Sequence, residues 1–268
     1  MTQVFLLTTG STGMQSWANP GNWNPVNTVE CMGAGQLGGS NPGSNLGGGG
    51  GMGGTYSIGR NLTLTFPVSY CVMPGTMTGY LCTTFNGSNS NQIGSNPGPN
   101  VVSATGNGTN NLAYNWPAAG AYNGGPGGPQ DASGWNNGAG GGGAAGPRGP
   151  GNGGGGVSSV PGGGGTGDGG NTAGGAPGTS AANGGQGGTG NYWDASHGGG
   201  GGGGGGNGYN GNKYLGGKGG QYGGGGGGST GGYAAAGTYP GGLGGDGIIV
   251  LTYTPYVARR AMGATTVA

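Results

Sequence analysis

Apolar residues cluster toward the two ends of this chain and are almost missing from its middle. Six short runs near the start, Val4–Thr9, Val26–Met32, Thr55–Phe66, Val68–Met73, Gly79–Phe85 and Val101–Thr105, are rich in β-branched, aromatic and threonine residues. Gly, Pro and Asn clusters separate them, which is the pattern of strands joined by turns. Alternation is clearest from Asn61 to Phe66, where Leu62, Leu64 and Phe66 would share one face of a strand. No segment carries a sustained helical period. Near the other end, Gly247–Thr254 holds the strongest strand pattern, and its unbroken apolar stretch through Ile248, Ile249 and Val250 predicts burial on both faces. Such a strand needs partners, and only the first 115 residues offer them. The expected fold is mostly β: a small β-sandwich or jelly-roll-like domain built from both chain ends, with essentially no α-helix. Its parts would be a β-rich region at 1–115, an insertion at 116–245, a closing strand at 246–258 and a tail at 259–268.

The insertion is dominated by glycine, which fills 86 of the 268 positions in uninterrupted runs such as Gly198–Gly206 and Gly223–Gly228. A bare backbone has one packable form besides the sheet, the polyproline-II-type helix with three residues per turn and a rise of about 3.1 Å. Its outward N–H and C=O groups can bond neighbouring helices when no Cβ holds them apart. Pro126-Gly127, Asn152-Gly153, Pro161-Gly162 and Asn207-Gly208 supply turns between runs, as expected of a chain that goes back and forth. Ordering glycine costs more backbone entropy than ordering any other residue, so an isolated run stays disordered. Lateral bonds in a bundle would offset that cost. The other reading of this composition is a flexible tether; the recurring aromatics and the scarcity of Ser, Glu and Lys in the runs favour an inserted polyglycine-II bundle. Gly202, in mid-run, is then a position that excludes a side chain, whereas Asn207 and Ser229 should sit at run ends and tolerate one.

Charge narrows the function classes. Charged residues make up 4% of the chain and the net charge is +1, which gives no electrostatic footprint for nucleic acid or an anionic membrane. No apolar run reaches the roughly 18 residues of a membrane span. The first residues lack the basic stretch and the apolar length of a signal peptide. The only histidine, His197, stands beside Ser196 and three residues after Asp194, too local to arrange a triad around a substrate. The acids Glu30, Asp131, Asp168, Asp194 and Asp246 are scattered, and Lys213 and Lys218 have no P-loop context. No catalytic, cofactor or metal motif emerges, and the expectation is a protein that is not an enzyme and carries no cofactor. Cys71 and Cys82 flank a hairpin-like loop and could form a disulfide, leaving Cys31; three buried thiols are the equal alternative.

Large aromatics punctuate the glycine zone. Trp116, Trp135, Tyr192, Trp193, Tyr209 and Tyr214 are the candidates for receptor binding, with Tyr192-Trp193 and Trp135 foremost because polar turn residues surround them. Tyr and Trp supply rigid contact area with a polar handle. They serve equally well as staples that fill gaps glycine cannot.

Four stretches carry a resemblance. Val4–Gly10 with Trp17 and Asn22-Trp23-Asn24-Pro25, then Val29–Gly35, then Thr84-Phe85-Asn86-Gly87, and last Gly244–Tyr253 resemble, in that order, a family of glycine-rich proteins of bacteriophages and prophages, especially of alphaproteobacteria, found among virion tail and fibre proteins. Cys31, Cys71, Cys82 and the residues after Tyr256 depart from the family pattern. A more distant similarity is to receptor-binding adhesins at the fibre tips of T-even-like phages, in which loops at the end of a polyglycine-II bundle meet the host. The resemblance implies a virion structural protein, made in the host cytoplasm, in a tail fibre, a tip or a surface decoration. Its partners would be other virion proteins, further copies of itself, with three-fold symmetry by analogy, and a bacterial surface glycan or protein. An ice-binding glycine bundle and a disordered glycine-rich matrix protein are the alternatives; the first calls for regularly spaced Thr or Ala on one face, and the second for no buried strands.

Overall fold

The computed structural model describes residues 2–8, 13–40, 46–76, 82–87, 101–105, 121–130, 136–179, 182–208, 214–231 and 240–256. Among them are nine strands, β1 (Gln3–Leu7), β2 (Gln15–Trp17), β3 (Asn27–Met32), β4 (Tyr56–Arg60), β5 (Val68–Cys71), β6 (Cys82–Phe85), β7 (Val102–Thr105), β8 (Ala121–Tyr122) and β9 (Ile248–Tyr253). One 3-10 turn (Asp168–Gly170) and no α-helix accompany them. The strands form two antiparallel sheets, one ordered β1-β9-β3-β4-β8 and the other β2-β5-β6-β7. The closing strand β9 lies between β1 and β3 with Thr252 opposite both Val4 and Thr28.

Strand β9 is buried on both faces, as its unbroken apolar run predicts, and its alternation divides two cores. Ile249 and Leu251 join Val29, Cys31, Leu62, Val68, Val72, Phe85, Val102 and Ala104 between the two sheets. Ile248 and Val250 point the other way, into a second cluster with Met32, Tyr56, Ile58, Ala144, Ala145 and Tyr222. The latter three belong to the glycine zone, so the five-stranded sheet packs on one face against its sheet partner and on the other against the glycine segments.

The stretch Asn61–Phe66 keeps its predicted alternation but not its ladder. Strand β4 stops at Arg60, and Asn61 turns the chain with a φ of 55°. The Asn27 side chain then accepts from Leu62 N–H (3.1 Å) and donates to Leu62 C=O (2.9 Å). Leu62 is buried, and Leu64 and Phe66 pack against the same core from an extended loop.

The glycine runs lie side by side without sheet pairing, and their hydrogen bonds repeat every third residue. Along Gly198–Gly206, the N–H groups of Gly200, Gly203 and Gly206 donate to Tyr222, Gly225 and Gly228; those of Gly201 and Gly204 donate to Gly188 and Gly185; those of Gly202 and Gly205 donate to Gly165 and Gly162. Its carbonyls accept with the same period, at 200, 203 and 206 from Ala144, Gly141 and Gly138, at 201 and 204 from Gly220 and Gly217, and at 202 and 205 from Gly175 and Gly178. The run Gly198–Gly206 therefore repeats its bonding every three residues and has six bonded neighbours, three through N–H and three through C=O. This is the bonding expected of laterally packed polyglycine-II-type helices. A Cβ built on Gly202 would fall on the Gly141 carbonyl, and one on Gly205 on that of Gly138.

Two corrections follow. The bundle takes in residues 33–40 and 46–54, which the boundary at 115 leaves in the β-rich region, with Gly47–Gly54 read as a glycine-rich excursion from it: Gly226 N–H donates to Gln36 C=O (2.9 Å) and Gly142 N–H to Gly51 C=O (2.8 Å). Glycine runs from either side of that boundary serve one lattice, because a three-residue screw does not distinguish them. Ser229 is no run end but fully buried, with its N–H on Gly39 C=O (3.1 Å). Its side chain is buried, as are those of Ala139, Ala144 and Ala145.

Candidate functional site

Successive runs alternate in direction, so their connections gather at two ends. Turns at 146–150, 168–172, 191–198 and 221–223 lie at the end that meets the five-stranded sheet, where β3, β4 and β9 enter or leave the bundle. Register defines the face they cover: Leu6, Val250, Glu30 and Ile58 form one row across the strands, and Ile248, Met32 and Tyr56 the next.

Tyr192 and Trp193, the foremost binding candidates from sequence, sit in this junction. Both are half-buried and pack on the cluster formed by Met32, Tyr56, Ile248 and Val250. The Trp193 indole N–H donates to Glu30 Oε2 (3.2 Å), and the Tyr56 hydroxyl donates to Glu30 Oε1 (2.5 Å). The Tyr192 hydroxyl accepts from Gly199 N–H (2.7 Å), its ring lies 4.4 Å from that of Trp193, and the Arg148 guanidinium stands over it at 5.3 Å. In this position the pair ties the 191–198 turn to the sheet, one of the two roles that the sequence leaves open. Glu30, which sequence reasoning counted only among scattered acids, is the polar centre of the staple. Burial pushes its carboxyl above the usual range, against the opposing pull of the Tyr56 and Trp193 hydrogen bonds and of Arg60. Burial, and then the Glu30 carboxylate, push the Tyr56 phenol far up.

A second clip closes two neighbouring turns. Asp168, fully buried with a φ of 49°, accepts from Arg148 N–H (2.9 Å) and pairs with Arg148 Nε (3.0 Å). Burial raises its carboxyl, with Arg148 opposing. Beside it, Asp194, Ser196 and His197 form an exposed turn whose geometry is not that of a nucleophile–base–acid relay. Both Ser196 Oγ (3.1 Å) and the Asp194 carboxylate (2.5 Å) meet the same ring nitrogen of His197, Nδ1, whereas a relay needs the two imidazole nitrogens on opposite partners. The His197 ring stacks on Tyr222 at 5.5 Å. The Asp194 carboxylate is held below the usual range by the Ser196 N–H and then by His197.

The opposite end of the bundle is tied by asparagine and threonine. Asn137 donates to Ser158 C=O (3.2 Å) and accepts from Gly208 N–H (2.9 Å), and Asn136 C=O accepts from Gly231 N–H (3.0 Å). Tyr214 N–H donates to Thr230 Oγ1 (3.1 Å), and Leu215 N–H to Asn183 Oδ1 (2.8 Å). Tyr214 is half-buried here, next to an exposed Leu215. Trp135 and Tyr209 belong to connections that leave from and return to this end, and both lie outside the described residues, as does Trp116.

The Cys71–Cys82 pairing rests on a side chain, that of Cys82, outside the described residues; Cys71 is buried with its sulfur 3.8 Å from Met73 Sδ, and Cys31 Sγ approaches Val102 C=O at 3.5 Å. Among the described residues, no group of three or more His, Cys, Asp or Glu is placed to hold a metal ion, and no helix is long and apolar enough to cross a membrane. Set beside family models, curated proteins and solved structures, the chain matches none of them.

Proposed function

We propose that this chain is a bacteriophage virion structural protein, in a tail fibre, a tip or a surface decoration, that holds loops toward the host at the bundle end remote from the β-sandwich. The observation that carries this reading is the division of labour between the two ends. One end is locked to a sheet through Glu30, Tyr56, Tyr192 and Trp193. The other gathers the connections that contain Trp135 and Tyr209 and begins at Tyr214. Connecting loops carried on a regular scaffold are where recognition residues vary most readily. The framing motifs of the sequence support the same class. The sandwich would face the other virion proteins, and the chain would work as a homo-oligomer, three-fold by analogy with fibres.

The test is direct: mass spectrometry of purified particles produced by the source strain. The chain is expected among the particle proteins, and antibody against it should block adsorption. Absence from intact particles would contradict the reading.

A further inference from the structure

One outer run of the bundle turns bare backbone to solvent. Residues 151–156 are bonded to three neighbouring runs. Gly151 and Gly154 N–H donate to Asn123 and Pro126 C=O (3.0 and 2.9 Å), and Asn152 and Gly155 N–H to Thr166 and Gly163 C=O (2.8 and 2.7 Å). The carbonyls of Asn152 and Gly155 accept from Gly143 and Gly140 N–H (2.9 and 3.0 Å). These three neighbours are bonded to one another in turn, Gly125 to Gly143 and Gly165 to Gly141 (both 2.8 Å), so they share one side of the run. On its other side, the N–H groups of Gly153 and Gly156 and the carbonyls of Gly151, Gly153, Gly154 and Gly156 bond to no described residue.

Other outer runs also lack neighbours on one side, but there every third residue is exposed and carries a side chain: Asn183, Gln186 and Thr189 on one run, Leu215 and Lys218 on another. A Cβ at that spacing keeps a further helix away, as charged residues and prolines protect the edge of a sheet. Among the described residues, Gly153 and Gly156 are the one pair of glycines three apart that are both exposed. The turn that ends the run adds Val160, with 59% of its surface exposed.

We propose that residues 151–156 are the surface through which copies of this chain assemble, each copy's run bonded to the same run of the next. Inside the bundle, an unfilled row of N–H or C=O groups is met by the backbone of another run, and a second copy brings a bare run of this kind. The bonding also selects the symmetry. Each of the six neighbours of Gly198–Gly206 is bonded in one direction, either through N–H or through C=O. A two-fold contact would set one row against itself, donors facing donors. A ring of three satisfies both kinds of group, because each copy donates from Gly153 and Gly156 to free carbonyls of the next and accepts from the third. The bundle already contains such a triangle: 136–145 donates to 151–156 (Gly140 to Gly155, 3.0 Å), 151–156 to 161–167 (Gly155 to Gly163, 2.7 Å), and 161–167 back to 136–145 (Gly162 to Gly138, 3.1 Å). From the proposed function this inference takes only self-association; the surface itself rests on these bonds, whether or not the chain belongs to a virion.

The experiment measures the mass of the full-length protein by light scattering across dilution, together with hydrogen exchange of the same sample. The expected result is an assembly of three chains in which the Gly153 and Gly156 amides are protected, although within one chain they bond to nothing described. Gly153→Val with Gly156→Val should reduce the mass to that of one chain while the amides of Ile248–Tyr253 stay protected. Within one chain, a Cβ at these two positions comes closest to Pro126 Cγ and Pro129 Cγ, at 3.2 Å each, and a ring edge can give way. If the valine pair disturbs β9, Gly153→Ala with Gly156→Ala replaces it, with one methyl added per glycine. Gln186→Val, on another outer run, is the control and should leave three chains together. A protein that is monomeric or dimeric, three chains with Gly153 and Gly156 exchanging as if unfolded, or three chains persisting in a folded variant of the glycine pair would each overturn the surface. A monomer found in phage particles would remove this contact and leave the virion reading standing; a trimer absent from particles would do the reverse.

Discussion

Glu30 decides how the junction responds to pH. Its carboxyl is raised in the folded protein by burial. Its contribution to stability is therefore fully present below the carboxyl's unfolded value and is lost as pH rises through the higher folded value. Asp168 acts in the same direction; the exposed Asp194 acts in the opposite one, adding stability that is lost on acidification. Melting temperature should accordingly rise as pH is lowered from 7 toward the upper carboxyl range, and Glu30→Gln should flatten that rise. An unchanged pH slope in the variant would show that Glu30 is not the group responsible. Trp193→Phe removes one donor from a buried carboxylate and should cost about 1–3 kcal/mol. A cost near zero would return Trp193 to the list of free binding side chains. Sequence reasoning could not find this contact. Glu30 and Trp193 are 163 residues apart, and nothing local marks either as a partner, whereas the period-two alternation that places Glu30 on the bundle side of β3 was readable.

At the scale of elements, the best-read strand is β9, because an unbroken apolar run supplies both alternation sets at once. Ile249→Ala opens the sandwich core and Val250→Ala the junction; the first should cost about 2–5 kcal/mol, and both should lower one shared unfolding transition. Two separate transitions would contradict the packing of one sheet between two cores. Strand ends were read less well where side chains intervene: Asn27 captures both backbone groups of Leu62 and takes it out of the ladder while leaving its burial intact. Composition marks the glycine runs but not which of them bond to one another, because any run fits the same lattice. Hence 33–40 and 46–54 fall within the 1–115 region, Gly47–Gly54 reading there as a glycine-rich excursion, and Ser229 reads as a run end. The structure also improves the control for an interior substitution. A Cβ at Gly163 would meet nothing closer than Pro177 Cδ at 3.7 Å, whereas at Gly202 it would strike backbone. Gly202→Ala should lower the melting temperature by on the order of 5–10 °C, and Gly163→Ala should be neutral or slightly stabilising. Equal tolerance at both positions would mean that the runs do not pack.

For the whole molecule, what is unusual is where its order comes from. Only 30% of the residues are hydrophobic, and they suffice for a small sandwich and one junction; the described glycine runs are held by amide-to-carbonyl bonds between them. A flexible tether of the same composition would have no such bonds, and its amides would exchange with solvent as if unfolded. Hydrogen exchange of the native protein over residues 198–206 therefore tests the central claim most directly. The expected result is protection of these glycine amides comparable to that of Ile248–Tyr253, lost together with it when the junction is weakened by Val250→Ala. Exchange of 198–206 at unprotected rates, while β9 stays protected, would contradict it.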